Sequence, residues 1–122
     1  MSQSSSPAQT FAAQLLATLA KAGVRNFFLA PGARSQSLAI AAGQLADAGK
    51  IDLHIRLDER GMAFTALGSA LASGEPSVLI TTSGTAVANL HPAVLEASHS
   101  GVPLILLTAD RPHELRNVGA NQ

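Results

Sequence analysis

The sequence contains no cysteine, and that one absence excludes disulfide bonds, cysteine-ligated structural zinc and thiol catalysis. Charge is scarce too: Asp, Glu, Lys and Arg make up 13% of the 122 residues, about half of the roughly 25% usual in soluble domains. A domain with so little polar surface is expected to bury some of its faces against other protein. No charge of one sign accumulates, because 8 Lys and Arg offset 8 Asp and Glu. The basic residues are scattered, so neither nucleic acid nor an acidic membrane has an electrostatic footprint to meet. Long apolar runs are missing as well. The longest, VPLILLTA from Val102 to Ala109, falls far short of the roughly 20 residues of a bilayer span. The opening SQSSSPAQ is polar and uncharged, without the basic-then-apolar order of a secretory signal. A cytoplasmic protein with no membrane span and no nucleic-acid partner is expected.

Several catalytic signatures are also absent. A dinucleotide site would place G-x-G-x-x-G after the first strand and an acid at the end of the second. Asp58 or Glu59 stands where that acid would be, but APGARSQS lacks the glycine spacing. No G-x-x-x-x-G-K-[ST] loop occurs, and TTSGTA is not the G-x-S-x-G of a serine hydrolase. His54, His91, His99 and His113 show no metal-ligand spacing, so no metal site is expected from these residues.

What is present is a regular alternation of strands and helices. Residues 1–6 form a flexible leader and 7–122 one domain, in which Ser6 and Pro7 open a helix that Gly23 stops. VRNFFLA (Val24–Ala30) is a strand, PGARS (Pro31–Ser35) a loop, and QSLAIAAGQLADAG a helix. IDLHIRLD alternates strictly, with Ile51, Leu53, Ile55 and Leu57 on one face and Asp52, His54, Arg56 and Asp58 on the other. A helix from Glu59 to Ser73 follows, then strand SVLITT, a loop and helix over SGTAVANLHPAVLEASHSG, and strand VPLILLT before ADRPHEL. This order predicts an α/β fold, a parallel twisted sheet with helices on both faces. The first, third and fourth strands are continuously apolar, as central strands covered on both faces should be. The second, with its polar face, belongs nearer an edge or an interface.

In open parallel sheets ligands bind beyond the carboxyl ends of the strands. The loops there carry the unusual residues of the chain. If the alternation of the second strand ran one step further, Glu59 would share the apolar side, where desolvation raises a carboxyl pKa; alternatively, Asp58 and Glu59 are a helix cap and a first-turn acid. TTSGTA offers small hydroxyls and backbone N–H groups to a polar ligand, or is an ordinary capped turn. Arg34 and Arg111 (in ADRP) carry planar forks suited to carboxylates, or serve loop salt bridges. Together they would make one rim suited to a dianionic small molecule.

Four segments taken in order, FFLAPGARS, LDERGMAFTALGSA, TTSGTAVANLHPAVLEA and PLILLTADRPHELRNVGANQ, closely resemble a known family. It comprises the amino-terminal pyrimidine-binding domains of the thiamine-diphosphate-dependent synthases that make 2-succinyl-5-enolpyruvyl-6-hydroxy-3-cyclohexene-1-carboxylate in menaquinone biosynthesis. The resemblance covers essentially all of the chain after the leader. Other thiamine-diphosphate enzymes usually have His-Glu where this chain has Asp58-Glu59, so DERG with ADRP and ANQ points to this branch rather than to acetolactate synthase or pyruvate oxidase. The resemblance implies that Glu59 is the catalytic glutamate that hydrogen-bonds the aminopyrimidine nitrogen N1′ of the cofactor, and that Thr82, Ser83, Gly84 and Thr85 lie beside the pyrimidine. It assigns Arg34, Ser35, Arg111, Asn121 and Gln122 to substrate binding. The implied reaction decarboxylates 2-oxoglutarate and adds the succinyl carbanion to isochorismate. Ala33 departs from the family's usual Ser, which removes one hydroxyl from the first loop.

The family's chains continue for several hundred residues. They include a domain whose Gly-Asp-Gly motif and downstream Asn bind Mg2+ and the diphosphate, usually from a second subunit of a homodimer or tetramer. This piece alone is therefore expected to be catalytically silent. Two alternatives stand beside this reading: a non-catalytic binding module of the same fold, and a thiamine-diphosphate 2-oxo acid decarboxylase or synthase with another acceptor.

Overall fold

The computed structural model describes residues 6–119; the expected leader before Ser6, and Asn121 and Gln122, lie outside the described residues. Helix α1 (Pro7–Lys21) begins as its sequence dictates. The Ser6 hydroxyl accepts from the Gln9 backbone N–H at 3.2 Å, and the Gln9 side chain accepts from the Ser6 N–H at 2.9 Å. That reciprocal pair satisfies two donors that the first turn would otherwise leave open. There follow β1 (Asn26–Leu29), a 3-10 turn (Ala33–Ser35), α2 (Gln36–Asp47), β2 (Asp52–Ile55) and α3 (Glu59–Ser73). Then come β3 (Ser77–Thr81), α4 (Thr85–Asn89), α5 (His91–Ser100), β4 (Leu104–Thr108) and a 3-10 turn at His113–Leu115.

The strands form one parallel sheet in the order β2-β1-β3-β4. Alternate residues of β1 and β3 point to opposite faces, and each face carries its own core. Phe27, Leu29, Val78 and Ile80 pack with Leu16 of α1 and Ala41 and Ala42 of α2. Phe28, Ala30 and Leu79 pack with Met62, Ala63 and Ala66 of α3 and with Leu90 and Ala93 on the other side of the sheet. The alanines matter because a methyl lets a helix backbone lie close to the sheet. This is the expected α/β architecture with helices on both faces.

Three details differ from the sequence reading. First, β4 is an edge strand whose residues are only partly buried. Its apolar run reflects two covered faces, with Ile105 and Leu107 against one core and Leu104 and Leu106 against the other; coverage of the faces says nothing about hydrogen-bonded neighbours on both sides. Second, the helical segment after β3 is two helices, interrupted at Leu90, with Pro92 in the first turn of α5. A proline at that point has no N–H to continue the ladder from α4. Third, β2 is an edge strand, as its polar face requires, but it ends at Ile55. Its His54 ring stacks on Phe28 with centroids 4.7 Å apart, which closes the polar side of β2 against the core. Because the chain leaves the strand there, the alternation cannot place Glu59; the start of α3 does.

Candidate functional site

All four strands run the same way, so their carboxyl ends share one edge of the sheet. Pairing extends one residue past each neighbouring pair: Ala30 N–H donates to Ile80 O, Arg56 N–H to Leu29 O, and Ala109 N–H to Thr81 O, each at 3.0 Å. The loops therefore leave from fixed points. From β1 the chain passes to β2 on one side, while β3 and β4 lie on the other. The order reverses between β1 and β3, and in sheets of this kind that switch point opens the ligand crevice.

At the end of β2 the two adjacent acids divide two tasks. Asp58 is the N-cap of α3, its Oδ2 accepting from the Gly61 N–H at 2.6 Å. Glu59 is the first residue of the helix and half-buried. Its carboxyl has no hydrogen bond or ion pair among the described residues. The positive end of the α3 dipole faces it. Since Asp58 already satisfies the cap, folding requires no hydrogen bond from Glu59, whose charge adds only about 0.3–1 kcal/mol through the helix dipole. Asp58→Ala is expected to lower stability by about 1 kcal/mol, seen as a reduced denaturant midpoint, whereas Asp58→Asn, which keeps the acceptor, should be close to neutral.

The loop after β1 is tightly held. Ser35 is 1% exposed, and its hydroxyl donates to the Gly32 carbonyl at 3.0 Å. Arg34, between them, is half-buried. It lines a groove of about 420 Å³ with Phe11, Leu38, Leu107 and Asp110. After β3, Thr82 lies against Gly32. Ser83 is buried and its hydroxyl has no partner among the described residues, as is also true of Thr81. Gly84 follows at φ 73°, ψ −130°, a region open in practice only to glycine. Thr85, the first residue of α4, is exposed.

After β4, Asp110 pairs with Arg116 at 2.7 Å. The Arg116 Nε also donates to the Arg111 carbonyl at 3.2 Å. Asp110 Oδ1 accepts from the Arg111 backbone N–H at 2.7 Å. The Arg111 guanidinium has no carboxylate partner among the described residues, and its Nε is buried and unpaired. It lines a second groove, of about 410 Å³, with Asp110, Leu115, Arg116 and Asn117. Arg34 and Arg111 thus face two grooves that share Asp110 as a wall, rather than one cavity. Glu59 lines neither groove. The role of Arg116 was not visible in ADRPHELR, where charge spacing alone gave no reason to pair it with Asp110. Among the described residues no group of His, Asp or Glu could hold a metal ion, and no helix is long and apolar enough to cross a membrane.

Comparison with known proteins gives these loops a family. The model of the thiamine pyrophosphate enzyme N-terminal TPP binding domain matches residues 9–122. The chain belongs to this family. Within it, the chain is 58% identical over 116 residues to a protein of Kineococcus radiotolerans and 58% identical over 116 residues to one of Leifsonia xyli subsp. xyli, in each case 95% of this chain. A Synechococcus relative is 57% identical over 108 residues, 88% of the chain. All three bear the name 2-succinyl-5-enolpyruvyl-6-hydroxy-3-cyclohexene-1-carboxylate synthase. The matched stretch is 21%, 20% and 19% of those relatives, so the chain spans about a fifth of their length.

Proposed function

We propose that this chain forms the pyrimidine-side half of the cofactor site in a thiamine-diphosphate-dependent synthase that joins the succinyl unit of 2-oxoglutarate to isochorismate in menaquinone biosynthesis. The observation that carries the reading is the division of labour at Asp58-Glu59: one acid caps α3, and the next has no structural partner. The donor set suits an aminopyrimidine. Glu59 offers a carboxyl that can hold or return a proton at a ring nitrogen, and Ser83 offers a buried hydroxyl whose hydrogen-bonding capacity is unmet. Thiamine diphosphate, when bound, supplies the decarboxylation and carbon–carbon bond chemistry.

The remaining roles follow from charge and from the family resemblance. Arg34 and Arg111 would each take a substrate carboxylate in their separate grooves, and Asn121 and Gln122 would serve substrate binding as well; Ser35, whose hydroxyl is committed to Gly32, would act by holding the loop. Mg2+ and the diphosphate would be held by another domain, contributed by a second subunit of a cytoplasmic homo-oligomer. In support of a protein neighbour beside Glu59, Phe64 and Leu71, seven residues apart on one face of α3, are 40% and 68% exposed, and Leu57, just before the helix, is 86% exposed. Exposed apolar side chains grouped next to a polar rim mark an interaction face.

The test is consumption of isochorismate by the full-length protein with 2-oxoglutarate, thiamine diphosphate and Mg2+. Stoichiometric loss of both substrates with release of carbon dioxide is expected, and none from the 122-residue chain alone. Consumption of 2-oxoglutarate without isochorismate would transfer the assignment to another acceptor.

A further inference from the structure

At the switch point of the sheet the loops after β1 and β3 touch through one residue pair, Gly32 and Thr82. A Cβ placed on Gly32 would lie 2.4 Å from Thr82 Cβ, 2.7 Å from Cγ2 and 3.0 Å from Oγ1. Carbon atoms in good contact are about 3.5–4.0 Å apart, so the glycine backbone lies flat against the whole threonine side chain. The backbone of Gly32 is extended, at φ −161° and ψ 159°, a conformation open to any residue. Space, not conformation, demands glycine here.

Both partners are held from behind. The Gly32 carbonyl accepts from the Ser35 N–H at 3.2 Å and from the Ser35 hydroxyl at 3.0 Å. On the other side, Ala30 N–H is bonded to Ile80 O and Ala109 N–H to Thr81 O, each at 3.0 Å. Arg34 therefore sits in a short turn whose two ends are pinned, and Thr82 follows a strand end that is pinned as well. Neither loop can shift without moving Gly32 off Thr82.

We propose that Gly32, Thr82 and Ser35 form a positioning joint that sets the Arg34 loop and the Thr82–Thr85 loop in one fixed relation. In the proposed site, on which this inference rests, the joint makes substrate and cofactor geometry a single setting rather than two. Gly32 and Ser35 are positioning residues: they touch neither ligand but fix the groups that do. Displacements of about 1 Å in such groups can cost on the order of 100-fold in rate, so the arrangement has a kinetic consequence beyond stability.

The test uses the full-length enzyme and reads two quantities, the KM of whichever substrate Arg34→Ala affects and the apparent Kd for thiamine diphosphate. Gly32→Ala is expected to raise both by about tenfold or more. Adding Thr82→Gly, which removes the atoms that the new methyl would meet, should leave both constants no worse than in Thr82→Gly alone, because no clash remains. A purely structural contact would lower the melting temperature and leave both constants unchanged, and that result overturns the proposal. Should Gly32→Ala fail to fold, Ser35→Ala carries the test. It deletes one hydrogen bond and little volume, and should raise both constants together severalfold; a shift in neither overturns the joint. The joint and the site reading beneath it fail differently. If Arg34→Ala raises the KM of a substrate and Gly32→Ala does not, the joint alone is wrong. If Arg34→Ala leaves the KM of both substrates unchanged, the site assignment falls and takes the joint with it.

Discussion

Replacing Glu59 by Gln in the full-length enzyme is expected to reduce kcat by about 100- to 10,000-fold, the range for losing a positioned acid–base group, with melting temperature and substrate KM nearly unchanged. The reason lies in the local structure. Asp58 already satisfies the first turn of α3 through Gly61, so the amide at Glu59 removes no cap and opens no cavity. A glutamine can still accept or donate a hydrogen bond, but it cannot carry a proton between the pyrimidine and solvent. The comparison of Glu59→Gln with Asp58→Asn separates the two acids: the first should affect turnover and leave stability alone, while the second should do little to either. Equal kinetic losses in both variants would mean that the start of α3, rather than one carboxyl, is what the reaction needs.

The second large effect is expected at Arg111. Its guanidinium is half-buried and has no carboxylate partner among the described residues, since Asp110 is engaged by Arg116. In the proposed function a substrate carboxylate supplies the counter-charge. Removing one charge-assisted hydrogen-bonded pair costs about 1.5–3 kcal/mol, so Arg111→Ala should lower kcat/KM by roughly 10- to 150-fold. The loss should fall mainly on KM if the contact is made equally in ground and transition states. Arg111→Lys should recover only part of it, because an ammonium cannot reproduce the two-pronged contact of a guanidinium. Since Arg34 and Arg111 face separate grooves, Arg34→Ala should raise the KM of one substrate and Arg111→Ala that of the other. A shared defect for one substrate would show that both arginines meet the same molecule.

Much of this arrangement is legible in the residues. The Ser6-Pro7 start of α1, the polar face that sends β2 to an edge and the apolar strands with two covered faces all follow from local pattern. So does the clustering of Glu59, Arg34, Thr82–Thr85 and Arg111 at one end of the sheet, because parallel strands put every following loop on the same side. What escapes the sequence depends on packing between distant segments. The edge position of β4 was hidden because its side chains report on covered faces, not on hydrogen-bonded neighbours. Of the two readings of Asp58-Glu59, strand alternation fails because β2 ends at Ile55, and the helix cap with a first-turn acid is what the chain adopts. The commitment of Ser35 to Gly32, the pairing of Asp110 with Arg116 and the seat of Gly32 on Thr82 are tertiary contacts. A serine or a glycine in a loop looks the same whether it waits for a ligand or holds its neighbour.

The central claim is that the Glu59 carboxyl promotes proton removal from the thiazolium carbon C2 of thiamine diphosphate. Hydrogen–deuterium exchange at that carbon, followed by quenched-flow NMR in the full-length enzyme without substrate, tests it most directly. Exchange should be about 100- to 10,000-fold slower in Glu59→Gln than in the wild type with the cofactor bound to both; equal exchange rates would contradict the account.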